Sequence, residues 1–280
     1  MWGRVGKARI RTMRARPPAL LDALALVVLA LLSAQLFWRL GEFPGIHGDE
    51  AWVGLFSLRL LKNGLYTPHE MNTYTGALYG LLVGPVFERL GVGVWSLRSV
   101  GAVLNPLAWL TLWAVVRRAA GPGAGLAWAL LAATSGLIAL KSRVAWEVYA
   151  LQPLCAALAL AAAVRLAEGG GRTWAFLLSA ACLVGVQNHF IFLSLPVALL
   201  LAAAALFVRR PDAPTALPAA LAACAVSALV VLVKPRVTEQ NWPALKGGML
   251  AAFWLAPVGG VLLCGALARR REALLALLRL

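Results

Sequence analysis

The sequence has little charge, and above all few acidic side chains. Only 13% of its 280 residues are charged, and 11 acidic residues stand against 26 lysines and arginines. Soluble domains carry about 25% charged residues, so this composition argues against a soluble protein. The chain also has only three histidines and four cysteines. Each cysteine lies in an apolar run without CxxC spacing, which argues against a zinc site or a disulfide framework.

The sequence contains several long apolar runs. Hydrophobic residues make up 61% of the chain, and the mean hydropathy is +0.81. Runs such as 20–38 and 190–208 match the roughly 20 residues that a helix needs to cross a bilayer. We therefore predict an all-α transmembrane bundle in one domain, 20–267. About eight spans are expected, at 20–38, 95–116, 123–140, 148–166, 174–187, 190–208, 214–233 and 247–267.

The net charge of +15 is distributed in short arginine clusters between the apolar runs. This arrangement predicts orientation signals and contacts with anionic membrane lipids, and it argues against a nucleic-acid partner. The basic segments 1–19 and 268–280 are then cytoplasmic. The long outer loop 39–94 and the polar triplet 187–189 are expected on the extracytoplasmic face of the membrane, which is the inner membrane in a bacterium.

Two apolar stretches need a separate interpretation. Residues 76–90 are too short to span, contain Pro85 and end in a Glu-Arg pair, so we predict an interfacial or re-entrant helix. Residues 174–208 would extend about 52 Å as a single helix, which is too long for one crossing. The chain is therefore predicted to turn back near 187–189.

Asp49 and Glu50 are the only adjacent acidic pair in the chain. They precede the amphipathic stretch 51–61, so one interpretation is a helix start, with Asp49 as N-cap and Glu50 in the first turn. The other is a catalytic base at the outer rim, and the two are compatible. His47 leaves a divalent metal open as a cofactor, but one histidine and one carboxylate are a weak ligand set, and no metal ligand is assigned.

Other polar residues are predicted at the same rim. Arg143 and Glu147 are four residues apart, so on a helix they would share a face and could pair. Alternatively, Glu147 is a second carboxylate and Arg143 binds phosphate, for which the guanidinium fork is suited. Arg98 is either an interfacial anchor or a site residue, and His189 is either a cap or a site residue. Trp146 fits the aromatic belt of a membrane protein.

The order of these motifs resembles that of a known family. Gly-Asp-Glu-Ala at 48–51 follows the first span, Leu-Arg-Ser at 97–99 opens the second, and Ser-Arg-Val-Ala-Trp-Glu at 142–147 precedes the fourth. Over 20–210 the chain resembles the GT-C membrane glycosyltransferases, in the branch of protein O-mannosyltransferases and aminoarabinose transferases. Members of that family are usually longer, so the resemblance is to a short or truncated member.

The resemblance implies an inverting transfer of sugar from a polyprenyl-phosphate carrier to a hydroxyl of a glycan, lipid or protein on the outer face. It makes Asp49 the general base and Glu147 a second acidic residue of the catalytic set, which would help to place the acceptor or the base. It also makes Arg98 and Arg143 candidates for binding the carrier phosphate. Glu50 and His189 complete the predicted substrate-binding set because of their expected position at the outer rim, and the resemblance itself assigns no role to His189.

Two alternatives remain open. The chain could be a catalytically inactive or partner-dependent membrane subunit with a GT-C-like fold. It could also be a small-solute transporter, which would place ionisable residues near the bilayer midplane. The predicted spans carry almost no charge at their centres, which favours the other two hypotheses.

Overall fold

The computed structural model describes residues 18–64, 75–209 and 216–233, and the named elements within these ranges are all helical. This confirms the predicted all-α class for the described part of the chain. The helices are α1 (Pro18–Phe37), α2 (Gly48–Asn63), α3 (Leu78–Leu90), α4 (Val94–Ala120), α5 (Pro122–Thr134), α6 (Gly136–Lys141), α7 (Glu147–Ala150), α8 (Gln152–Ala167), α9 (Arg172–Asn188), α10 (Ser194–Arg209) and α11 (Ala216–Val233).

Three helical stretches are long and apolar enough to cross a membrane. They are α1, α4 and the stretch Glu147–Ala167 formed by α7 and α8, and they lie on three of the predicted spans. Other predicted spans coincide with shorter helices, and 247–267 lies outside the described residues. The prediction of a membrane protein is therefore supported, whereas the count of eight spans is not confirmed.

Interruptions of the helices explain part of this difference. The predicted span 123–140 is split at Ser135, whose hydroxyl accepts a hydrogen bond from Ile138 N at 3.3 Å and starts α6. The helix break expected near 187–189 is present, because α9 ends at Asn188 and a 3₁₀ turn, Phe190–Leu193, leads into α10. Gly185 allows this turn, since a Cβ there would lie 2.4 Å from the ring of Phe192.

The apolar core has two main parts. In one, the buried stripe of α1 packs with α4 and α5 around Leu29, Leu36 and Trp109. In the other, α8, α9 and α11 bury small residues, including Cys155 and Cys182, as the sequence predicts for cysteines in apolar runs. Leucines on the outer faces of α1, α5 and α10 are exposed, which is expected of surfaces that contact lipid.

Charged residues gather at the two ends of the bundle. At one end Arg117 pairs with Asp22, and Arg118 pairs with Glu168, each at 2.6 Å. These residues lie where α4 and α8 end and α1 begins. The arrangement agrees with the grouping predicted from charge, while the side of the membrane that each end faces stays a prediction.

Candidate functional site

His47 begins α2 and fixes the direction of its first turn. Its Nδ1 accepts a hydrogen bond from Asp49 N at 3.3 Å, and the Glu50 carboxylate accepts one from His47 N at 3.2 Å. This is a capping box, in which the side chains of the N-cap and of the third helical residue satisfy each other's backbone. The prediction of Asp49 as N-cap is therefore wrong, because the imidazole occupies that role. Glu50 does lie in the first turn, as predicted.

Glu50 and Arg98 form an ion pair that is inaccessible to solvent. Arg98 donates from Nε to Glu50 Oε1 at 2.6 Å and from Nη2 to Oε2 at 2.8 Å, and both side chains are 0% exposed. Ala145 N also donates to Glu50 Oε1, at 2.8 Å. Burial acts to raise the pKa of Glu50, but the guanidinium and the two backbone N–H groups outweigh it and hold the pKa below its ordinary value.

Arg98 and Arg143 also hold the segment that joins α1 to α2. Arg98 donates to the carbonyls of Leu40 at 2.9 Å and Gly45 at 3.3 Å. The Arg143 guanidinium donates to three further carbonyls of this region, those of Gln35, Trp38 and Phe43. These bonds satisfy acceptors at and beyond the C-terminus of α1, which a helix leaves without intrahelical partners.

The two arginines predicted to bind phosphate are thus both buried in an internal network. Burial lowers the pKa of Arg143, and the positive charge of Arg98 lowers it further. The predicted shared helix face of Arg143 and Glu147 is wrong, because 142–146 is a non-helical turn between α6 and α7. This turn directs Arg143 to the end of α1. A role of either arginine in substrate binding stays a prediction.

Asp49 differs from its neighbour Glu50 because it is accessible. Its side chain is 33% exposed, and its Oδ2 lies 3.5 Å from Nδ1 of His47, whose side chain is 60% exposed. The His47 ring stacks on Trp146 at 6.0 Å between centroids, and Trp146 meets Tyr149 edge-on at 4.9 Å. We call these three rings the aromatic row. Lys141 lies at its far end, with Nζ 4.8 Å from the centroid of Tyr149.

Glu147 and His189 lie at the junction of α7, α9 and the segment before α3. Glu147 is buried at the start of α7, and its carbonyl accepts a hydrogen bond from Asn188 Nδ2 at 2.9 Å. His189 pairs with Thr75 in an isolated antiparallel bridge, and its Nδ1 accepts from Ile191 N at 3.1 Å. His189 therefore caps the 3₁₀ turn, which is one of the two roles predicted for it.

Glu50 accepts a hydrogen bond from Ala145 N, two residues before Glu147, so both buried acidic residues lie at the same end of the bundle, as does Tyr79 of α3. Burial raises the pKa of Tyr79, and the negative charges of Glu50 and Glu147 raise it further. The tyrosine hydroxyl donates to Leu97 O at 3.2 Å at the start of α4. The structure thus brings Glu50 and Glu147 to one end of the bundle, with Asp49 on the accessible side of that end.

Few potential metal ligands lie together at this end of the bundle. Among the residues that the structure describes, no group of three or more histidine, cysteine or acidic side chains is arranged to hold an ion. His47 and Asp49 offer only two ligands, and His69 and Glu70 of the predicted outer loop lie outside the described ranges. The divalent metal therefore stays an untested prediction, and no chemical step is assigned to it.

Sequence reasoning missed the aromatic row. Trp146 was predicted only as part of the membrane aromatic belt, and Tyr149 and Lys141 received no role. The available signal was the run of large side chains at 141, 146 and 149 around a turn that follows a helix end. Their approach to His47 depends on a contact between residues about a hundred positions apart, which no local pattern contains.

The described helices and the apolar composition define an α-helical membrane protein. Comparisons with protein-family models, with curated proteins and with solved structures find no match to this chain.

Proposed function

We propose that this protein is a membrane glycosyltransferase, which moves a sugar from a polyprenyl-phosphate carrier to an acceptor hydroxyl on the extracytoplasmic face. The observation that carries the proposal is the position of Asp49. Its carboxylate is accessible and lies at one end of a row of aromatic rings, and its backbone N–H is held at the start of α2 by the N-cap His47. Fixed orientation is what a general base needs in order to act within hydrogen-bond reach of an acceptor.

The proposed reaction is a single displacement. The acceptor oxygen forms a bond to the anomeric carbon while the bond from that carbon to the phosphate oxygen breaks. The electron pair of the broken bond leaves with the polyprenyl phosphate, and the acceptor proton passes to Asp49. Because attack and departure take place on opposite faces of the sugar, the anomeric configuration is inverted.

Glu50, Arg98 and Arg143 act in this proposal as positioning residues. Together they join the start of α2, the start of α4 and the end of α1, so the backbone around Asp49 has little freedom. Much of the rate of such a transfer comes from holding the reactants in a productive geometry. Glu147 follows Trp146 directly, and we assign it a supporting role on the acceptor side.

A non-catalytic membrane subunit is the second candidate function. It is favoured by one observation, namely that Glu50, Arg98 and Arg143 all have partners inside the protein. Such a network would serve a purely structural chain as well as an enzyme. Only the accessible Asp49 and its surroundings separate the two hypotheses.

Turnover by the purified protein tests the proposal. The full chain is reconstituted in lipid nanodiscs and given a panel of synthetic polyprenyl-phosphate sugars with peptide, glycan and lipid acceptors. We expect acceptor-dependent release of polyprenyl phosphate, detected by mass spectrometry. Folded, monodisperse protein that binds the lipid but releases none with any donor would favour the subunit hypothesis.

A further inference from the structure

Most charged groups near Asp49 already have a partner within the protein. Arg39 pairs with Glu42 at 2.6 Å, Arg98 pairs with Glu50, and Arg143 donates to backbone carbonyls. Lys141 is different, because no carboxylate among residues 18–64, 75–209 and 216–233 forms an ion pair with it. It is half-buried, and its ammonium group lies over the ring of Tyr149.

On the basis of the proposed function, we infer that Lys141 is the residue that binds the phosphate of the polyprenyl-phosphate donor. The inference assigns to this lysine the role that the family resemblance implies for Arg98 and Arg143. A lysine ammonium has three donors and no acceptor, and it binds phosphate as a compact charge. Its present partner, an aromatic face, interacts with a cation more weakly than an anionic oxygen does, so a phosphate can replace it.

The order of groups along the aromatic row supports this assignment. Asp49 lies next to His47 at one end, Trp146 and Tyr149 follow, and Lys141 lies at the other end. An inverting displacement needs the base and the leaving phosphate on opposite sides of the sugar. In the structure Asp49 and Lys141 lie at opposite ends of the aromatic row, whose rings offer an apolar surface on which a sugar can lie.

The helix that carries Lys141 also suits a lipid ligand. Leu137, Leu140 and Lys141 stand at positions i, i+3 and i+4 of α6, so they share one helix face. Both leucines are exposed. An apolar surface that leads to an ammonium group matches the two parts of a polyprenyl phosphate, namely its hydrocarbon chain and its anionic head.

Lys141 keeps its proton during the proposed reaction. The electron pair of the broken anomeric bond passes to the phosphate oxygen, which gains negative charge, and the ammonium group stabilises that charge without a proton transfer. The only proton that moves is the acceptor proton, which Asp49 receives. A cation fixed near the leaving oxygen is favourable because it needs no rearrangement as the charge develops.

Binding of a phosphorylated lipid tests the inference without requiring turnover. Native mass spectrometry of the full chain in nanodiscs compares undecaprenyl phosphate with undecaprenol, which lacks the phosphate. We expect wild-type protein to prefer the phosphate, and Lys141→Gln to weaken undecaprenyl phosphate binding by about tenfold or more while leaving undecaprenol binding unchanged. Lys141→Arg, which keeps the charge, should retain most of the preference.

Lys62→Gln is the matched control, because Lys62 lies on α2 about 20 Å from Asp49 along the helix axis. An unchanged preference of Lys141→Gln for undecaprenyl phosphate over undecaprenol would overturn the inference. Complete displacement of undecaprenyl phosphate by phosphatidylglycerol would also overturn it, because Lys141 would then be a general anchor for anionic lipids.

If wild type transfers sugar and Lys141→Gln has the same KM for the donor, only the inference fails. If Lys141 governs phosphate binding but no donor yields product, the proposed function fails instead.

Discussion

Glu50 and Arg98 form a bidentate, fully buried ion pair between residues 48 positions apart in the chain. The pair joins the first turn of α2 to the start of α4, and Ala145 N donates to the same carboxylate. It therefore ties together three segments that meet at one end of the bundle. Asp49 is adjacent to this pair in the sequence, but its side chain is accessible. The network can therefore fix the backbone at Asp49 while leaving the Asp49 carboxylate available.

Removing one partner of this pair should destabilise the protein strongly. Glu50→Gln leaves the Arg98 charge buried without its counter-ion, and loss of one member of a buried pair costs about 3–5 kcal/mol. Arg98→Lys should also be destabilising, because an ammonium cannot reproduce the two-pronged contact and the two carbonyl bonds. Thermal unfolding of the purified protein in detergent measures both effects.

Arg39→Gln provides the control, since it breaks an exposed pair with Glu42 at the same end of the bundle. Exposed ion pairs contribute little, so its melting temperature should stay close to that of wild type. The double variant Glu50→Gln, Arg98→Met should lose less stability than the sum of the losses in the single variants Glu50→Gln and Arg98→Met, because neither charge of the pair is left buried alone. Simple additivity would show that the two side chains are not coupled.

The stability of the protein should depend on the charge of Glu50 at acidic pH. Its pKa in the folded protein lies below the ordinary value of 4.5. A carboxyl group with a lowered pKa contributes its full stabilisation above the unfolded pKa and loses it as the pH falls through the folded pKa. The melting temperature should therefore fall as the pH is lowered from about 5, and more steeply in wild type than in Glu50→Gln. Parallel curves for the two proteins would exclude Glu50 as the titrating group.

The orientation predicted from charge can be measured by cysteine labelling. Ile46 is exposed between α1 and α2, and Thr173 is exposed in the first turn of α9, near the opposite end. In a background without native cysteines, a membrane-impermeant maleimide should label Ile46→Cys in intact cells, but Thr173→Cys only after permeabilisation. The reverse pattern would place Asp49 on the cytoplasmic side.

The apolar runs predicted most of the described helices, because burial in lipid and packing against neighbours both act on the same hydrophobic faces. The start of α2 was predicted less well. Aspartate is the stronger N-cap by propensity, so Asp49 was expected there. The spacing of His47 and Glu50 carries the true signal, since it is the spacing of a capping box with histidine in the first position.

The polar network could not be predicted from local patterns. The four-residue spacing of Arg143 and Glu147 suggested a shared helix face, but the chain leaves the helix between 142 and 146. Arg143 then donates to Gln35 O, 108 positions away. Contacts of this kind depend on how helix ends come together in the fold. The arginines and acidic residues that make them are also the residue types expected in a site for an anionic substrate.

The central claim is that Asp49 removes the acceptor proton during sugar transfer. Its most direct test is the transfer rate of Asp49→Asn in nanodiscs with saturating polyprenyl-phosphate sugar, beside wild type and the exposed-carboxylate control Glu42→Gln. We expect Asp49→Asn to lower kcat by at least about 100-fold with an unchanged melting temperature, and Glu42→Gln to keep wild-type activity. The wild-type product should have the inverted anomeric configuration. Transfer by Asp49→Asn at the wild-type rate would contradict the claim.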